Sequence, residues 1–457
     1  MADRTRLPPL GVDEPFAFPA ITKTRLSNGL NLWTVQHRDI PVQTMVLLVR
    51  VGSSADPPGR SGLASLTGDM LDEGAGDRGA LELNEALARI GAQFDTEVGP
   101  DATFLTLTSL AKFRDRAFAI VADMVARPRF IVDEFDRVRQ LRTNRLRQLV
   151  NVPSAVADRA FASALYGEHP YGHLAIGTME ALEQVSLDEV ARFHRQWFRP
   201  AHAVLLVAGD APAEVVEESV SRAFGAWTDG TPDDADNPGA SAALREPTTS
   251  PSRLLLIDRP GAAQSELRIG HIGVSRRTPD YHALLLLNLV LGGQFVSRLN
   301  MNLREHKGYT YGARSWFEFR LGRGPFQMSA SVQTDVTAAA IREALAEVSA
   351  MRGDRPVTVE ELTTARAALT RGYPRNFETS DQVARSAAQL ALYNLPDDYF
   401  ATFVPRVEKL GLDAIHEAAV RHLHPDRLVT LVVGDRNKVG STLGALELGE
   451  PSSIAAG

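Results

Sequence analysis

An arginine and a tyrosine seven positions apart carry the most informative chemistry in this sequence. They are Arg304 and Tyr311, and they lie in the stretch LREHKGYTYG at residues 303–312. A guanidinium and a phenol are both hydrogen-bond donors. Two such donors aimed at one point can hold a carbonyl oxygen while negative charge develops on it, which stabilises the transition state of attack on that carbonyl.

The elements on either side must bring these two side chains together. Apolar residues at helical spacing precede the pair over residues 281–303, and an alternating, strand-like pattern follows it over residues 313–320. Gly308 breaks the helix between them. We therefore expect Arg304 to end a helix and Tyr311 to open a strand, so that the two converge at a helix-strand corner.

Each of these side chains also has a plainer interpretation. Arg304 at a helix end can simply interact with the helix dipole, and Tyr311 can pack in a sheet with its hydroxyl at the rim. Tyr309 is a competing phenol two positions away, on the same face of the expected strand. The seven-residue spacing favours Tyr311.

The length and charge of the chain limit the number of domains and the kinds of partner that it can have. The 457 residues suffice for roughly two to four domains. The 49 basic and 56 acidic residues give a net charge of -7, with no basic block of the kind that nucleic-acid or anionic-membrane binders carry. No segment approaches the roughly 18 consecutive apolar residues of a membrane span. We expect neither nucleic acid nor membrane as a partner.

Cysteine content and the N-terminus bear on the compartment. The sequence contains no cysteine, so it has no disulfide framework, no thiolate metal site and no cysteine nucleophile. Its first ten residues lack the apolar core of a secretory signal, so the cytoplasm is the expected location. An exported mature form remains compatible with these residues.

The sequence contains an internal duplication. Residues 187–210 recur as residues 412–435, and both copies read as a helix with an N-terminal aspartate, a proline-marked loop and an apolar strand ending in Gly-Asp. A second pair, 132–135 and 359–362, places acidic residues in the first turn of a long helix, where the helix dipole favours them. The chain is therefore predicted to be one architecture built twice.

This duplication predicts an α+β fold of two similar domains, each with a mixed, mostly antiparallel sheet packed with helices. Residues 22–51 and 253–274 are each predicted to form the first hairpin of their half. A stretch rich in proline, glycine and acidic residues lies between the halves and is predicted to be a linker. The predicted limits are an N-terminal extension at 1–20, domains at 21–227 and 253–445, a linker at 228–252 and a tail at 446–457.

The order of these features along nearly the whole chain resembles the pitrilysin/insulinase family of zinc metallopeptidases. The likeness is to its short bacterial, processing-peptidase-like members, which have two such domains in a clamshell. The stretches that carry it are Thr24–Leu30, Gly52-Ser53, Gly62-Leu63-Ala64, GEHPYG at 167–172, Gly292-Gly293, Ser297–Leu299 and the Gly434-Asp435 strand end.

The resemblance implies a zinc motif that this sequence lacks. Active members carry His-x-x-Glu-His just after the Gly-Leu-Ala stretch, with two histidine ligands and a glutamate that activates the zinc-bound water. Here Ser65 and Asp69 replace the histidines, and Gly68 replaces the glutamate. Arg145 stands where the third ligand, a glutamate, is expected, and an arginine cannot ligate zinc. We expect no metal or other cofactor on this chain.

Without a metal, the helix at residues 63–70 is expected to persist as plain scaffold. Its apolar residues at helical spacing should face the core, and its carboxylates should form an ordinary acidic face. The first set is Leu63, Leu66 and Met70, and the second is Asp69, Asp72 and Glu73.

What the sequence retains is the other part of the family's site. Arg304 and Tyr311 match the Arg/Tyr pair that the C-terminal domain contributes to the substrate carbonyl. In some short members the two parts are divided between two chains. The resemblance therefore implies the non-zinc subunit of a heterodimeric peptidase, inactive alone, whose homologous partner supplies the zinc and with which it holds an extended peptide substrate.

Two alternatives remain open. One is a catalytically inert structural or peptide-binding scaffold, like the core subunits of the respiratory bc complex. The other is a self-sufficient peptidase that uses an unrecognised metal site.

Overall fold

The computed structural model describes residues 17–37, 40–228, 245–248 and 252–454. Most of the predicted N-terminal extension and most of the predicted linker lie outside these ranges. We call residues 17–228 the N-half and residues 252–454 the C-half. Each half contains one six-stranded sheet with helices around it, so the predicted α+β class is confirmed.

The N-half has eight strands and eight α-helices among its described residues. In chain order these are β1 (Ile21–Arg25), β2 (Asn31–Gln36), β3 (Val42–Val49), α1 (Leu63–Asp69), β4 (Gly74–Ala75), β5 (Arg78–Gly79), α2 (Ala80–Arg89), β6 (Gln93–Val98), β7 (Thr103–Leu110), α3 (Arg114–Ala126), α4 (Val132–Leu149), α5 (Pro153–Tyr166), α6 (Met179–Gln184), α7 (Leu187–Trp197), β8 (Ala203–Gly209) and α8 (Ala213–Phe224).

The C-half has six strands and eight α-helices among its described residues. They are β9 (Arg253–Asp258), β10 (Gln264–Ile272), α9 (Tyr281–Asn288), α10 (Arg298–Asn300), β11 (Thr310–Phe317), β12 (Pro325–Gln333), α11 (Thr337–Arg352), α12 (Val359–Arg371), α13 (Ser380–Tyr393), α14 (Tyr399–Glu408), α15 (Leu412–His422), β13 (Val429–Gly434), α16 (Arg436–Gly444) and β14 (Ser452–Ser453). Two π-helical segments, Leu289–Gly293 and Met301–His306, flank α10.

The two sheets repeat one topology. The N-half order is β1-β2-β8-β3-β7-β6, and the C-half order is β14-β9-β13-β10-β12-β11. In the N-half, β8 lies between β2 and β3, parallel to β2 and antiparallel to β3. In the C-half, β13 lies between β9 and β10 in the same way, parallel to β9 and antiparallel to β10. The predicted duplication is thus confirmed. The matching strands β6 and β11 each form a sheet edge.

The predicted first hairpins at 22–51 and 253–274 are wrong in one respect. β2 and β3 do not pair with each other, and neither do β9 and β10, because β8 and β13 are inserted between them. Within the described residues of 22–51 and 253–274, only β1 and β2 form a local antiparallel pair. The outer edges also differ, because β14 comes from the predicted tail and runs parallel to β9.

Each sheet is covered on one face by a helix from the other half. Helix α13 packs on β3 and β8, and helix α5 packs on β10 and β13. Hydrogen bonds secure both crossings, including Thr44 Oγ1 to Ser380 Oγ at 3.1 Å and Arg268 Nε to Asp158 Oδ1 at 2.6 Å. Because both faces of the N-half sheet are covered, β3 is buried along nearly its whole length, and six of its eight residues are apolar.

The segment Tyr281–His306 is the one helical stretch in the described ranges that is long and apolar enough, by length and composition, to cross a membrane. Half of it is buried inside the protein. Its buried leucines belong to the core of the C-half, which is the pattern of a core helix in a globular domain.

Candidate functional site

Arg304 and Tyr311 lie on either side of a helix-strand corner, as the sequence pattern predicts. Arg304 belongs to the π-helical segment Met301–His306, and β11 begins at Thr310. Between them Gly308 adopts a φ of 66°, in the left-handed region that favours glycine. π-Helical segments are often found at functional sites.

A β-bulge exposes Tyr311. The pairing of β11 with β12 shifts between Thr310 and Ala313, so Tyr311 and Gly312 leave the regular ladder. The Thr310 hydroxyl holds this shape, since it donates to the Ser331 carbonyl at 2.6 Å and accepts from the Gly312 N–H at 3.1 Å. Tyr311 is 89% exposed as a result.

The competing phenol has a different environment. Tyr309 is half-buried and packs against the core of the C-half. Its main chain accepts a hydrogen bond from Gln333 N at 3.1 Å and donates one to the Leu303 carbonyl at 2.8 Å, which closes the end of the helical segment. Tyr309 therefore supports the corner, and Tyr311 is the phenol that faces solvent.

Arg304 is held from below by an aromatic ring. Its guanidinium lies 4.7 Å from the ring centroid of Phe295, within the range of a cation–π contact. Its Nε is 3.2 Å from Glu305 Oε1, but both side chains are about 40% exposed, so this ion pair contributes little. Phe295 and Val296 are themselves more than half exposed and place apolar surface next to the cation.

Asn300 connects the two irregular segments that present the pair. It is 5% exposed. Its side chain donates to the Phe295 carbonyl at 2.8 Å and accepts from Ala313 N, the residue that ends the bulge, at 3.3 Å. One buried amide therefore ties the turn beneath Arg304 to the bulge that carries Tyr311.

The glycine pair Gly292-Gly293 allows the same helical segment to lie close to β11. A Cβ atom at Gly292 would be 2.5 Å from both the amide nitrogen and the hydroxyl of Ser315. The Ser315 hydroxyl also donates to Asn288 Oδ1 at 2.8 Å. Only glycine permits this approach, and the close packing fixes where the corner sits on the sheet.

Three of the degenerate zinc-motif positions, Ser65, Gly68 and Asp69, lie in the N-half on α1, and the fourth, Arg145, lies on α4. As expected for scaffold, Leu63, Leu66 and Met70 are almost completely buried. A Cβ atom at Gly68, the position of the missing glutamate, would be 3.1 Å from the methyl groups of Thr96 and Val98 on β6. The space for a catalytic base is therefore already occupied by side chains of β6.

An arginine bridges the two positions where the family has histidine ligands. Arg142 Nη2 donates to Ser65 Oγ at 2.9 Å and forms an ion pair with the Asp69 carboxylate. Its Nη1 donates to the Ile176 carbonyl at 3.4 Å. The Arg142 side chain is only 10% exposed, so this is a buried cation that depends on its partners.

Arg142 is not among the site residues that the sequence predicts. It lies three positions before Arg145 on α4, and residues at this spacing share a helix face. Arg145 itself is exposed, and no hydrogen bond or ion pair engages its side chain in the described part of the chain. The spacing from Arg145 was the one sequence signal that could have pointed to Arg142.

The other acidic residues of this region are not the ordinary surface face that the sequence predicts. They line an open cavity of about 600 Å³ between α1, α4 and β6, together with Asp95 and the apolar residues Phe94 and Leu141. Glu73 forms an ion pair with Arg137. Burial, and then the negative charge of Glu73, raise the pKa of Asp72 to about 6.

The residues at these positions do not suit zinc. Ser65 and Asp69 are both engaged by a cation, Gly68 offers no side chain and Arg145 adds a second positive charge. Within the described residues, no group of three or more His, Asp or Glu side chains is arranged to hold a metal ion. That the chain carries no zinc stays a prediction, which the donor chemistry supports.

The GEHPYG stretch joins the two halves. Tyr171, almost fully buried, donates from its hydroxyl to Asp101 Oδ1 at 2.5 Å, and Asp101 Oδ2 accepts from Leu321 N at 2.7 Å. Burial raises the pKa of Asp101, and the Tyr171 hydrogen bond opposes that rise. The loop after β11 is thus anchored to the N-half, so the hairpin that carries Tyr311 is fixed at its far end.

The two sets of site residues remain separate. In the described ranges, no hydrogen bond or ion pair connects Arg304 or Tyr311 to the motif positions on α1 and α4. The N-half therefore holds an open cavity in which an Arg142–Asp69 ion pair occupies the degenerate motif positions, and the C-half presents an exposed Arg/Tyr corner.

Two family models match adjacent parts of the chain. Residues 34–179 match Insulinase (Peptidase family M16), and residues 184–369 match the Peptidase M16 inactive domain. Together the two matches span most of the chain.

Two curated relatives illustrate the range of matches. An uncharacterized zinc protease of Streptomyces coelicolor is 25% identical over 296 residues, which are 65% of this chain and 64% of that protein. The chain thus spans a little less than two-thirds of that relative's length. The Non-peptidase homolog YmxG of Helicobacter pylori is 21% identical over 406 residues, 87% of this chain and 90% of that protein.

Solved structures share the fold. The peptidase M16 inactive domain from Pseudomonas fluorescens superposes with a TM-score of 0.84 at 24% identity, over 91% of this chain and 98% of that one. A chain of Complex III2 from Candida albicans gives a TM-score of 0.77 at 11% identity, over 95% of this chain and 100% of that one. With the two family models, these likenesses show that the chain belongs to peptidase family M16, the insulinase and pitrilysin family.

Proposed function

We propose that this chain is a non-catalytic M16 member that acts as the non-zinc subunit of a heterodimeric metallopeptidase. A homologous partner chain supplies the zinc and the base. This chain aims Arg304 and Tyr311 at the carbonyl of the scissile peptide bond and stabilises the negative charge that develops there.

The exposure of Tyr311 is the observation that carries the proposal. A bulge stabilised by Thr310 turns the phenol of Tyr311 out of the sheet until it is 89% exposed, and on the other side of the helix-strand corner Arg304 lies over Phe295. A tyrosine that only filled a sheet would bury its ring. Two donors presented to solvent at one corner fit a role toward a molecule outside this chain.

The N-half supports the absence of zinc chemistry on this chain. The Arg142 guanidinium occupies the space between Ser65 and Asp69. The name of the Helicobacter pylori relative, a non-peptidase homolog, and that of the matched inactive domain agree with a non-catalytic member. A peptidase reaction then needs its metal from another chain.

The free strand β6 offers a place for an extended peptide. It pairs with β7 on one side only, and its residues alternate between exposed and half-buried along its length. An extended segment can add to such an edge through main-chain hydrogen bonds. This chain would then hold peptide as well as contribute to hydrolysis.

An inert scaffold is the second candidate function. The fold likeness to a chain of Complex III2 favours it, since that chain is a component of a larger complex. A scaffold has no need of an exposed Arg/Tyr pair, so the two candidates differ in what mutation of that pair does.

Reconstitution tests the proposal. The purified chain is mixed with a homologous chain that has an intact His-x-x-Glu-His motif, and hydrolysis of a fluorogenic extended peptide is followed with zinc content. We expect hydrolysis in the mixture well above either chain alone, and zinc bound by the partner. No gain in hydrolysis on mixing would favour the scaffold, and stoichiometric zinc in this chain alone would refute the heterodimer.

A further inference from the structure

We propose that Arg142 takes the place of the metal ion in the N-half, as a cationic cross-link between α1 and α4 that also bars zinc from the pocket. The inference goes beyond the proposed function, which requires only that this chain bring no zinc to the reaction. If it is correct, Arg142 stabilises the N-half in the absence of zinc.

The geometry is that of a substitute cross-link. Ser65 and Asp69 are the first and last positions of the motif, one turn apart on α1, and Arg142 on α4 reaches both with one terminal nitrogen. A metal ion held by α1 and by a ligand on α4 would join the same two helices. The guanidinium thus supplies positive charge and a connection between the helices in one side chain.

Burial explains why the connection is stable and why it excludes zinc. Arg142 is 10% exposed and its Nε is buried without an acceptor among the described residues, so the cation relies on Asp69 and on the Ile176 carbonyl. A divalent cation entering the pocket would have to displace a guanidinium that cannot lose its charge. Removal of that guanidinium is therefore a condition for metal binding.

One consequence separates this inference from simple loss of ligands. Restoring the four motif residues alone should not restore zinc binding, because the Arg142 guanidinium, which keeps its contact with the Ile176 carbonyl, would still place a fixed positive charge beside the new ligands. The test compares a fourfold variant, Ser65→His with Gly68→Glu, Asp69→His and Arg145→Glu, with a fivefold variant that adds Arg142→Ala. A second fivefold variant that adds Arg147→Ala instead is the control, since Arg147 is an exposed arginine on the same helix.

The readout is zinc per chain by mass spectrometry after dialysis. We expect one zinc ion per chain in the variant with Arg142→Ala, and a tenth of that or less, on the order of the background, in the other two. Stoichiometric zinc in the fourfold variant would overturn the proposal. So would equal zinc in the two fivefold variants.

A second measurement on single variants holds if the multiple variants fail to fold. Thermal unfolding of the full chain is compared for Arg142→Ala and Arg145→Ala, two arginines one helical turn apart. Loss of the cross-link should lower the Tm of the first by about 5 °C and leave the second within about 1 °C of the natural chain. Equal Tm values would overturn the proposal, and neither result depends on Arg304, Tyr311 or a partner chain.

Discussion

The two halves of this protein build the same sheet, yet they use an arginine in opposite ways. In the N-half, Arg142 turns inward, is 10% exposed and is neutralised by Asp69. In the C-half, Arg304 lies over the ring of Phe295 with its side chain 39% exposed. The same kind of side chain is thus paired internally in the N-half and presented to solvent in the C-half. The neighbouring residue differs: Asp69 pairs with Arg142, and Phe295 lies beneath Arg304.

The edge strands show the same contrast. β6 packs tightly against α1, because Gly68 lies next to the methyl groups of Thr96 and Val98. In β11, the bulge after Thr310 turns Tyr311 away from the sheet. A duplicated fold can therefore present different side-chain environments at matching edge strands, with the strand order unchanged.

The largest expected effect separates the two arginine sites. In the reconstituted two-chain complex, Arg304→Ala should lower turnover by about 100- to 1000-fold, as loss of a donor to a developing oxyanion does. Arg314→Ala removes a cation from an exposed position further along β11 and should leave turnover unchanged. Arg145→Ala, which removes an exposed cation beside the cavity of the N-half, should also leave turnover unchanged. A comparable loss in all three variants would remove the distinction between the halves.

A smaller effect is expected at the residue that connects the corner. Asn300→Ala removes the hydrogen bonds to the Phe295 carbonyl and to Ala313 N, so Arg304 and Tyr311 should lose their fixed positions. We expect turnover in the complex to fall about tenfold. The double variant with Tyr311→Phe should stay near the roughly 100-fold loss of Tyr311→Phe alone, well short of the roughly 1000-fold product, because both changes act on one unit.

Asn288→Ala is the matched control for that variant. Asn288 is also an amide on the helical segment that bonds to β11, but at Ser315, away from the bulge. Its turnover should stay near that of the natural chain. If the two asparagine variants lose activity equally, or if the Asn300→Ala and Tyr311→Phe losses simply multiply, Asn300 has a general structural role.

The smallest expected effect is on how the free energy of unfolding depends on pH through Asp72, in the cavity of the N-half. The pKa of Asp72 is raised to about 6, mainly by burial, so its contribution to stability is present at low pH and is lost as the pH rises through 6. A rise in pKa from 3.8 to about 6 corresponds to roughly 3 kcal/mol. We expect Asp72→Asn to recover a part of this, so that the free energy of unfolding at pH 8 rises by about 1 kcal/mol. At pH 4 it should change little.

Chemical denaturation at the two pH values measures this. Asp95→Asn, which removes an exposed carboxylate from the same cavity, is the control for the loss of one negative charge. A stabilisation of Asp72→Asn that is equal at pH 4 and pH 8 would contradict a raised pKa.

Sequence patterns predicted what depends on local spacing. The helix with acidic first turn at 132–135, its counterpart at 359–362 and the two apolar strands ending in Gly-Asp all occur as expected. Family membership and the α+β class followed from the order of such segments. Short-range periodicity and capping carry this information without knowledge of tertiary contacts.

The features that were missed depend on residues far apart in the chain. The first hairpins were wrong because β8 and β13 enter the sheets from more than 150 residues later, and no local pattern of β2, β3, β9 or β10 reports that insertion. Arg142 was missed because its role requires α4 to lie beside α1. The exposure of Tyr311 depends on a bulge set by the Thr310 hydroxyl and Ser331 across the sheet.

The proposed role of the Tyr311 hydroxyl in hydrolysis is tested best by comparing two variants of the two-chain complex. The turnover number is measured for Tyr311→Phe and for Tyr309→Phe. The two variants remove the same hydroxyl from phenols two residues apart, one 89% exposed and one packed against the core. We expect about a 100-fold lower kcat for Tyr311→Phe with KM and zinc content nearly unchanged, and normal kcat for Tyr309→Phe. Equal kcat values for the two variants would show that the exposed phenol has no role in the hydrolysis.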